Sequence, residues 1–207
     1  FVQKGKKHQL EQGMVYIEGG AFRMGSRDGP ENEIPQYEVE VDGFWIDRCE
    51  VTNYQYLLFL GREPFLRKST FSHKFHDGNY LKNWDDDLLP PRGEELNPVI
   101  YVSWFAARYF CNSNGKRLPS EAEWEKAARG NTGYNYPWGD GITGSYANYY
   151  DSGDPWDNGT TPVGWYNGIN AQTADSPSMY GAYDMAGNVG EWTTSTVESC
   201  NIENIVC

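Results

Sequence analysis

Beyond Arg129 the sequence contains no lysine and no arginine, although residues 130 to 207 hold nine aspartates and glutamates. A third of the chain is therefore purely acidic, within a formal net charge of −12. Such a surface repels phosphate backbones, which excludes nucleic acid as an expected partner and makes divalent cations the natural counter-charge. The alternative is an acidic surface that keeps the protein soluble and binds nothing. No apolar run approaches the roughly 20 residues that span a bilayer, and no basic, apolar, small-residue succession at the N-terminus reads as a retained secretory signal. The chain begins at Phe1 rather than Met, as expected of a processed or trimmed product. CxxC spacing is missing, so Cys49, Cys111, Cys200 and Cys207 are not expected to hold structural zinc. An even number of cysteines in such a chain leans towards disulfides and an oxidising compartment, with the connectivity left open. Histidine is scarce: His8 lies near the N-terminus, and His73 and His76 lie in an irregular stretch. A His73-x-x-His76 pair would bind a metal only if helical, and exposed loop histidines are the expectation. There is no GxSxG, so a Ser-His-Asp triad has no support.

Aromatics make up 15% of the residues and there are 23 glycines. A core of large rings between tight turns is expected, in a loop-rich α+β fold. The length suits one domain, residues 13–207, behind a polar tail or linker at 1–12. Two short apolar runs, 14–18 and 21–24, flank Gly19-Gly20 as in a hairpin. The alternation Tyr37-Glu38-Val39-Glu40-Val41 predicts a half-buried strand with Tyr37, Val39 and Val41 inward. Thr52 caps a helix that buries Tyr56, Phe59 and Leu60, and Ser103 caps a second with Trp104, Ala107, Phe110 and Cys111 on one face. That spacing assigns Cys111 to the core or a disulfide rather than to nucleophilic chemistry. In GKRLPSEAEWEKAARG, residues 115 to 130, Ser120 and Glu123 form an S-x-x-E capping box, Trp124, Ala127 and Ala128 face inward, and Gly130 ends the helix. Residues 61–98 read as a long irregular excursion, either functional or a variable insertion.

Six ordered segments together resemble the formylglycine-generating enzyme family, the sulfatase-modifying factor domain. They are MVYIEGGAFRMGS (14–26), FWIDRCEVTNYQYLLFL (44–60), NPVIYVSWFAARYFCNSNGKRLPSEAEWEKAARG (97–130), YPWGD (136–140), TTPVGWYNG (160–168) and SMYGAYDMAGNVGEWT (178–193). The resemblance implies a C-type-lectin-like fold, with a small twisted antiparallel sheet, two or three short helices and extensive irregular structure. The family holds several functions on one scaffold, so fold alone does not decide activity.

The resemblance also implies cation sites. In YDMAGNVGEW it places the side chains of Asp184 and Glu191 and the carbonyls of Gly187 and Val189 around Ca²⁺, which takes hard oxygen ligands. It implies a second site from Asn148, the carbonyl of Tyr149, Asp154 and the carbonyl of Trp156, where Asp151 or Asp157 could substitute. The copper-binding cysteines of the family's oxidase lie beyond the EWT motif in an Arg-rich segment. Here the sequence continues TSTVESCNIENIVC, without matching context. Copper is therefore not expected in the chain as given, and a disulfide involving Cys200 or Cys207 is expected instead. Iron chemistry of the related sulfoxide synthases needs three histidines placed unlike those here. The final strands of the fold normally complete the sheet, so the expectation is a longer natural chain, residues 194–207 taking that place in a divergent way, or a protein partner covering the open sheet edge.

Three functions follow. The leading expectation is a noncatalytic, calcium-stabilised extracytoplasmic binding or assembly module. The second is a fragment of an active copper-dependent oxidase that converts a sulfatase cysteine to formylglycine. The third is a diversified ligand binder.

Overall fold

The structure is a computed structural model that describes residues 2–3, 13–156 and 159–195. Five short strands and three helices are set in a large amount of turn. The strands are β1 (Val2–Gln3), β2 (Met14–Ile17), β3 (Gly20–Met24), β4 (Tyr37–Val41) and β5 (Phe44–Asp47). The helices are α1 (Asn53–Arg62), α2 (Trp104–Ser113) and α3 (Glu121–Arg129). One antiparallel sheet has the order β1-β5-β2 and the other pairs β3 with β4.

Two expectations are corrected here. The runs around Gly19-Gly20 do not form a hairpin, because β2 pairs with β5 and β3 with β4. The glycines turn the chain between sheets instead: Gly20 has φ +125°, and a side chain on Gly19 would collide with the backbone nitrogen of Gly43, at 2.8 Å. The expected N-terminal tail contributes a strand, β1, with Val2 opposite Ile46. Strand β5 is consequently paired on both sides.

Each helix starts where its cap dictates. Thr52 and Gln55 make a reciprocal capping box on α1, Ser103 accepts from the Ala106 N–H on α2, and Ser120 and Glu123 form the box on α3. Gly130, at φ +54°, ends α3. The first core packs Ile17, Phe22, Phe44 and Ile46 against Ala127 and Ala128 of α3. Lys126 is buried on the same face because its ammonium donates to the Gly20 carbonyl at 2.6 Å, tying α3 to β3. Of the inward set on β4, Val41 is buried and Val39 half-buried, whereas Tyr37 is 53% exposed at the strand's end.

The second core joins α1 and α2 through Tyr56, Phe59, Leu60 and Phe110. The excursion from 61 to 98 enters it, burying Leu66, Phe71, Tyr80, Leu81 and Trp84. It is thus a structural part of the domain, held by polar bonds as well as by rings. Tyr80 donates to the Leu66 carbonyl at 2.8 Å, and the Trp84 indole donates to Asn53 Oδ1 at 3.2 Å. Cys111 is a buried free thiol beside Ala107 and Leu118. Cys49 is also a free thiol, and the expected pairing of Cys200 and Cys207 lies outside the described residues. Among the described residues no helix is long and apolar enough to cross a membrane.

Candidate metal centre

Between β5 and α1 the chain passes through Cys49, Glu50 and Val51, fixed there because the Val51 carbonyl accepts from the Val99 N–H at 2.8 Å. The segment 178–191 has no helix or strand and is folded by tight turns onto that passage. The Tyr183 N–H donates to the Arg48 carbonyl at 2.8 Å, which brings Asp184 beside Glu50. Asp184 and Asn188 both sit at φ +57°, a conformation that short polar side chains tolerate. Between them Gly187 has φ +88°, and a Cβ there would run into the Asn148 carbonyl oxygen.

Asn188 joins the pieces. Its backbone N–H donates to the Asn148 carbonyl at 2.8 Å, its Oδ1 accepts from the Thr161 N–H at 3.0 Å, and its Nδ2 donates to Glu50 Oε1 at 2.9 Å. Asp184 Oδ2 accepts from the Gly164 N–H at 2.5 Å. Each bond holds a turn residue against a distant segment, so the centre is preorganised without regular structure.

Three carboxylates converge: Glu50, Asp184 and Glu191. Burial raises the proton affinity of Glu50 well above the usual range, and the charges of Asp184 and Glu191 raise it further. Asp184 is raised by burial, against the opposing donation from Gly164. Glu191 is raised by the crowding around its carboxyl, with added repulsion from Asp184 and Asp47. The residue is exposed, and the Trp124 indole opposes the shift. Glu50 Oε2 is buried and meets no donor. Its carboxyl is crowded instead against that of Asp184, which favours a protonated form of the pair.

The first sequence-derived ligand set fits a hard cation. Asp184 is buried next to the orphaned Glu50 oxygen, and among the described residues no N–H donates to the carbonyls of Gly187 or Val189. Among the described residues no three His, Cys, Asp or Glu side chains are arranged to hold a metal alone. An ion here would depend on those backbone carbonyls, as Ca²⁺ commonly does. The second set lies in one loop, where most of its oxygens accept hydrogen bonds. Asp154 Oδ2 accepts from Tyr166 at 2.7 Å and from Ser152 at 2.9 Å, and Oδ1 accepts from the Trp156 N–H at 2.6 Å. The Tyr149 and Trp156 carbonyls accept from the N–H groups of Ser152 and Gly159, and Asn148 Nδ2 donates to the Gly159 carbonyl at 2.8 Å. Asp151 is exposed, and Asp157 lies outside the described residues.

Sequence reasoning missed Glu50 and Asn188. Glu50 sits two residues before the Thr52 cap, and an acid so close to a buried helix start was the available signal. Asn188 follows a glycine in a turn, where asparagine commonly adopts the left-handed conformation. A cavity of about 100 Å³ opens beside Glu50 and Glu191, walled by Val102, Phe110 and Trp192. The Trp192 indole donates to the Val102 carbonyl and the Trp104 indole to the Thr193 carbonyl, both at 2.8 Å, closing this side of the centre. Cys49 also lines the cavity. Burial, then the charges of Asp184 and Glu50, push its thiol up to about 12, and burial pushes Cys111 to about 12. Both stay protonated at neutral pH and are poor nucleophiles and poor thiolate ligands.

The chain as a whole is similar to known proteins. The chain is 37% identical over 190 residues to the serine/threonine-protein kinase Pkn1 of Chlamydia trachomatis, covering 90% of this chain and 28% of that protein. It is 34% identical over 219 residues to the inactive C-alpha-formylglycine-generating enzyme 2 of Bos taurus, covering 91% of this chain and 72% of the relative. It is 31% identical over 233 residues to the formylglycine-generating enzyme of Thermomonospora curvata, covering 92% and 74%. Among solved structures, PvdO from Pseudomonas aeruginosa superposes with a TM-score of 0.62 at 25% identity, over 87% of this chain and 69% of that one. The sequence profile of the sulfatase-modifying factor enzyme 1-like domain matches residues 2–204, and the chain belongs to that family.

Proposed function

We propose that this domain is a noncatalytic, calcium-stabilised binding or assembly module that works outside the cytoplasm and engages a protein partner. The observation that carries the calcium part is the buried Glu50 oxygen without a donor, beside the buried carboxyl of Asp184. Removing a proton from this group is costly, and a divalent cation would relieve that cost by neutralising the carboxylates. Modest-affinity oxygen sites fill where calcium is abundant, which favours an extracytoplasmic setting. The noncatalytic part is supported by the similarity to a relative named as inactive.

Thermal unfolding in calcium and in EDTA tests the first part. A ligand at about 100 times its Kd stabilises by about 2.7 kcal/mol, which for a domain of this size raises Tm by roughly 5–10 °C. Asp184→Asn should shrink that rise. Equal melting curves with and without calcium in the parent protein would remove the cation from the reading. Incubation with a CxPxR peptide, oxygen and copper tests the second part, with no formylglycine expected. The oxidase reading is favoured by the 31% identity to a formylglycine-generating enzyme, and turnover in the same assay would put it first.

A further inference from the structure

The outward surface of α2 carries a row of rings. Phe105 and Tyr109 stand one turn apart on the helix, Phe75 meets Phe105 edge-on, and Phe65 meets Tyr109 edge-on, each pair with centroids 5.2 Å apart. The four rings are 51%, 39%, 43% and 51% exposed for Phe105, Tyr109, Phe75 and Phe65. Four half-exposed rings in contact make an apolar ridge, unlike the scattered single residues of an ordinary surface. Among residues flanking these rings in the sequence the positive charges outnumber the negative, Arg62, Lys74 and Arg108 against Glu63 and Asp77. Arg108 lies 5.2 Å from the Trp104 ring centre, Lys74 precedes Phe75, and Arg62 ends α1 three residues before Phe65. The ion pairs among the described residues, Lys116–Asp47, Arg117–Glu123 and Arg129–Glu125, lie elsewhere and leave these three cations without a carboxylate.

A surface of this kind matches a partner that is apolar and acidic. The same chain presents one. Loops 143–152 and 167–175 are joined by the Ala174 N–H donating to the Ser145 carbonyl at 2.7 Å, and by the Asn167–Asp175 bridge. They display Tyr150 at 88% and Ile169 at 87% exposure, beside the exposed Asp151 and Asp175, in the part of the sequence without lysine or arginine. Among the described residues no ion pair or ring contact joins this face to the ridge within one molecule.

We propose that the aromatic ridge of one copy docks on the acidic loop face of a second copy, head to tail. Opposite charges set the orientation, and the rings and Tyr150 and Ile169 supply the apolar contact. Because the two patches differ, the contact is heterologous, and each copy in a pair keeps one free ridge or one free loop face, so association extends beyond two copies. The inference extends the assembly reading but needs neither the cation nor the absence of turnover.

Sedimentation velocity of the whole chain, from about 1 to about 200 μM, tests it at low salt and at about 0.5 M salt, where the Debye length shrinks below roughly 5 Å. The expected result is a mass that rises with concentration at low salt, with affinity at least tenfold weaker at high salt. Phe105→Ala should weaken association tenfold or more. Arg108→Glu and Asp175→Lys should each abolish it, and an equimolar mixture of those two variants should associate again, because the reversed charges then face each other. Melting curves matching the parent establish that the variants are folded. A parent protein that stays monomeric over the whole range overturns the proposal. So does association indifferent to all three substitutions, or a monomer whose ridge binds vesicles containing anionic lipid. Any of these leaves the calcium reading standing, since cation-dependent melting is measured on the single domain.

Discussion

Ser120 and Glu123 satisfy one another's backbone N–H groups at the start of α3, and Arg117 clasps the Glu123 carboxylate through two nitrogens at 2.7 and 2.6 Å. Ser120→Ala should cost about 1 kcal/mol in urea unfolding, the usual size of a lost cap. Burial alone would raise the Glu123 carboxyl, but the Arg117 and Ser120 donors outweigh it and hold it below the ordinary range. A depressed folded-state value adds stability that is complete above the unfolded value of about 4.3 and is lost as pH falls through the folded one. The stability gap between parent and Glu123→Gln should therefore be full at pH 7, begin to close near pH 4.3, and vanish in stronger acid. Gly187→Ala meets both a left-handed φ and the Asn148 carbonyl, so it should destabilise by more than about 1 kcal/mol. It should also blunt any calcium response in the same melting experiment. The caps were legible in the sequence because their rules are local, confined to four consecutive residues. Glu50 was not, because its environment is made by Asp184 and Asn188, more than 130 positions away.

At the scale of elements, all three helices were legible from period and cap, whereas the pairing of strands was not. Two short apolar runs around a glycine pair look the same whether they fold back on each other or part into different sheets. The choice was made by β5, which took β2 as its neighbour, and by β4, which took β3. The 61–98 excursion was legible as irregular but not as core, since its buried residues follow no fixed period. Trp84→Ala tests that role directly. It removes a ring that is 1% exposed and strips Asn53 Oδ1 of its indole donor, so a loss of about 3–5 kcal/mol is expected in equilibrium unfolding. A loss below about 1 kcal/mol would return the excursion to the status of a surface insertion.

For the molecule as a whole, the asymmetry of charge was plain in the sequence; the structure sets exposed rings beside Arg108 on α2 and leaves Tyr150, Asp151, Ile169 and Asp175 exposed on loops. The Asn188 junction has a consequence for how the chain folds. Its bonds reach back 138 residues to Glu50, 40 to Asn148 and 27 to Thr161, and the indole bonds of Trp104 and Trp192 span 89 and 90. Contacts of such separation close large loops and form late, so the carboxylate centre should be assembled last, after the capped helices and the ring core have condensed. Nascent chains that have not yet emitted residue 188 would hold Glu50 without its partners, and the amide protons of this junction should exchange through openings smaller than global unfolding.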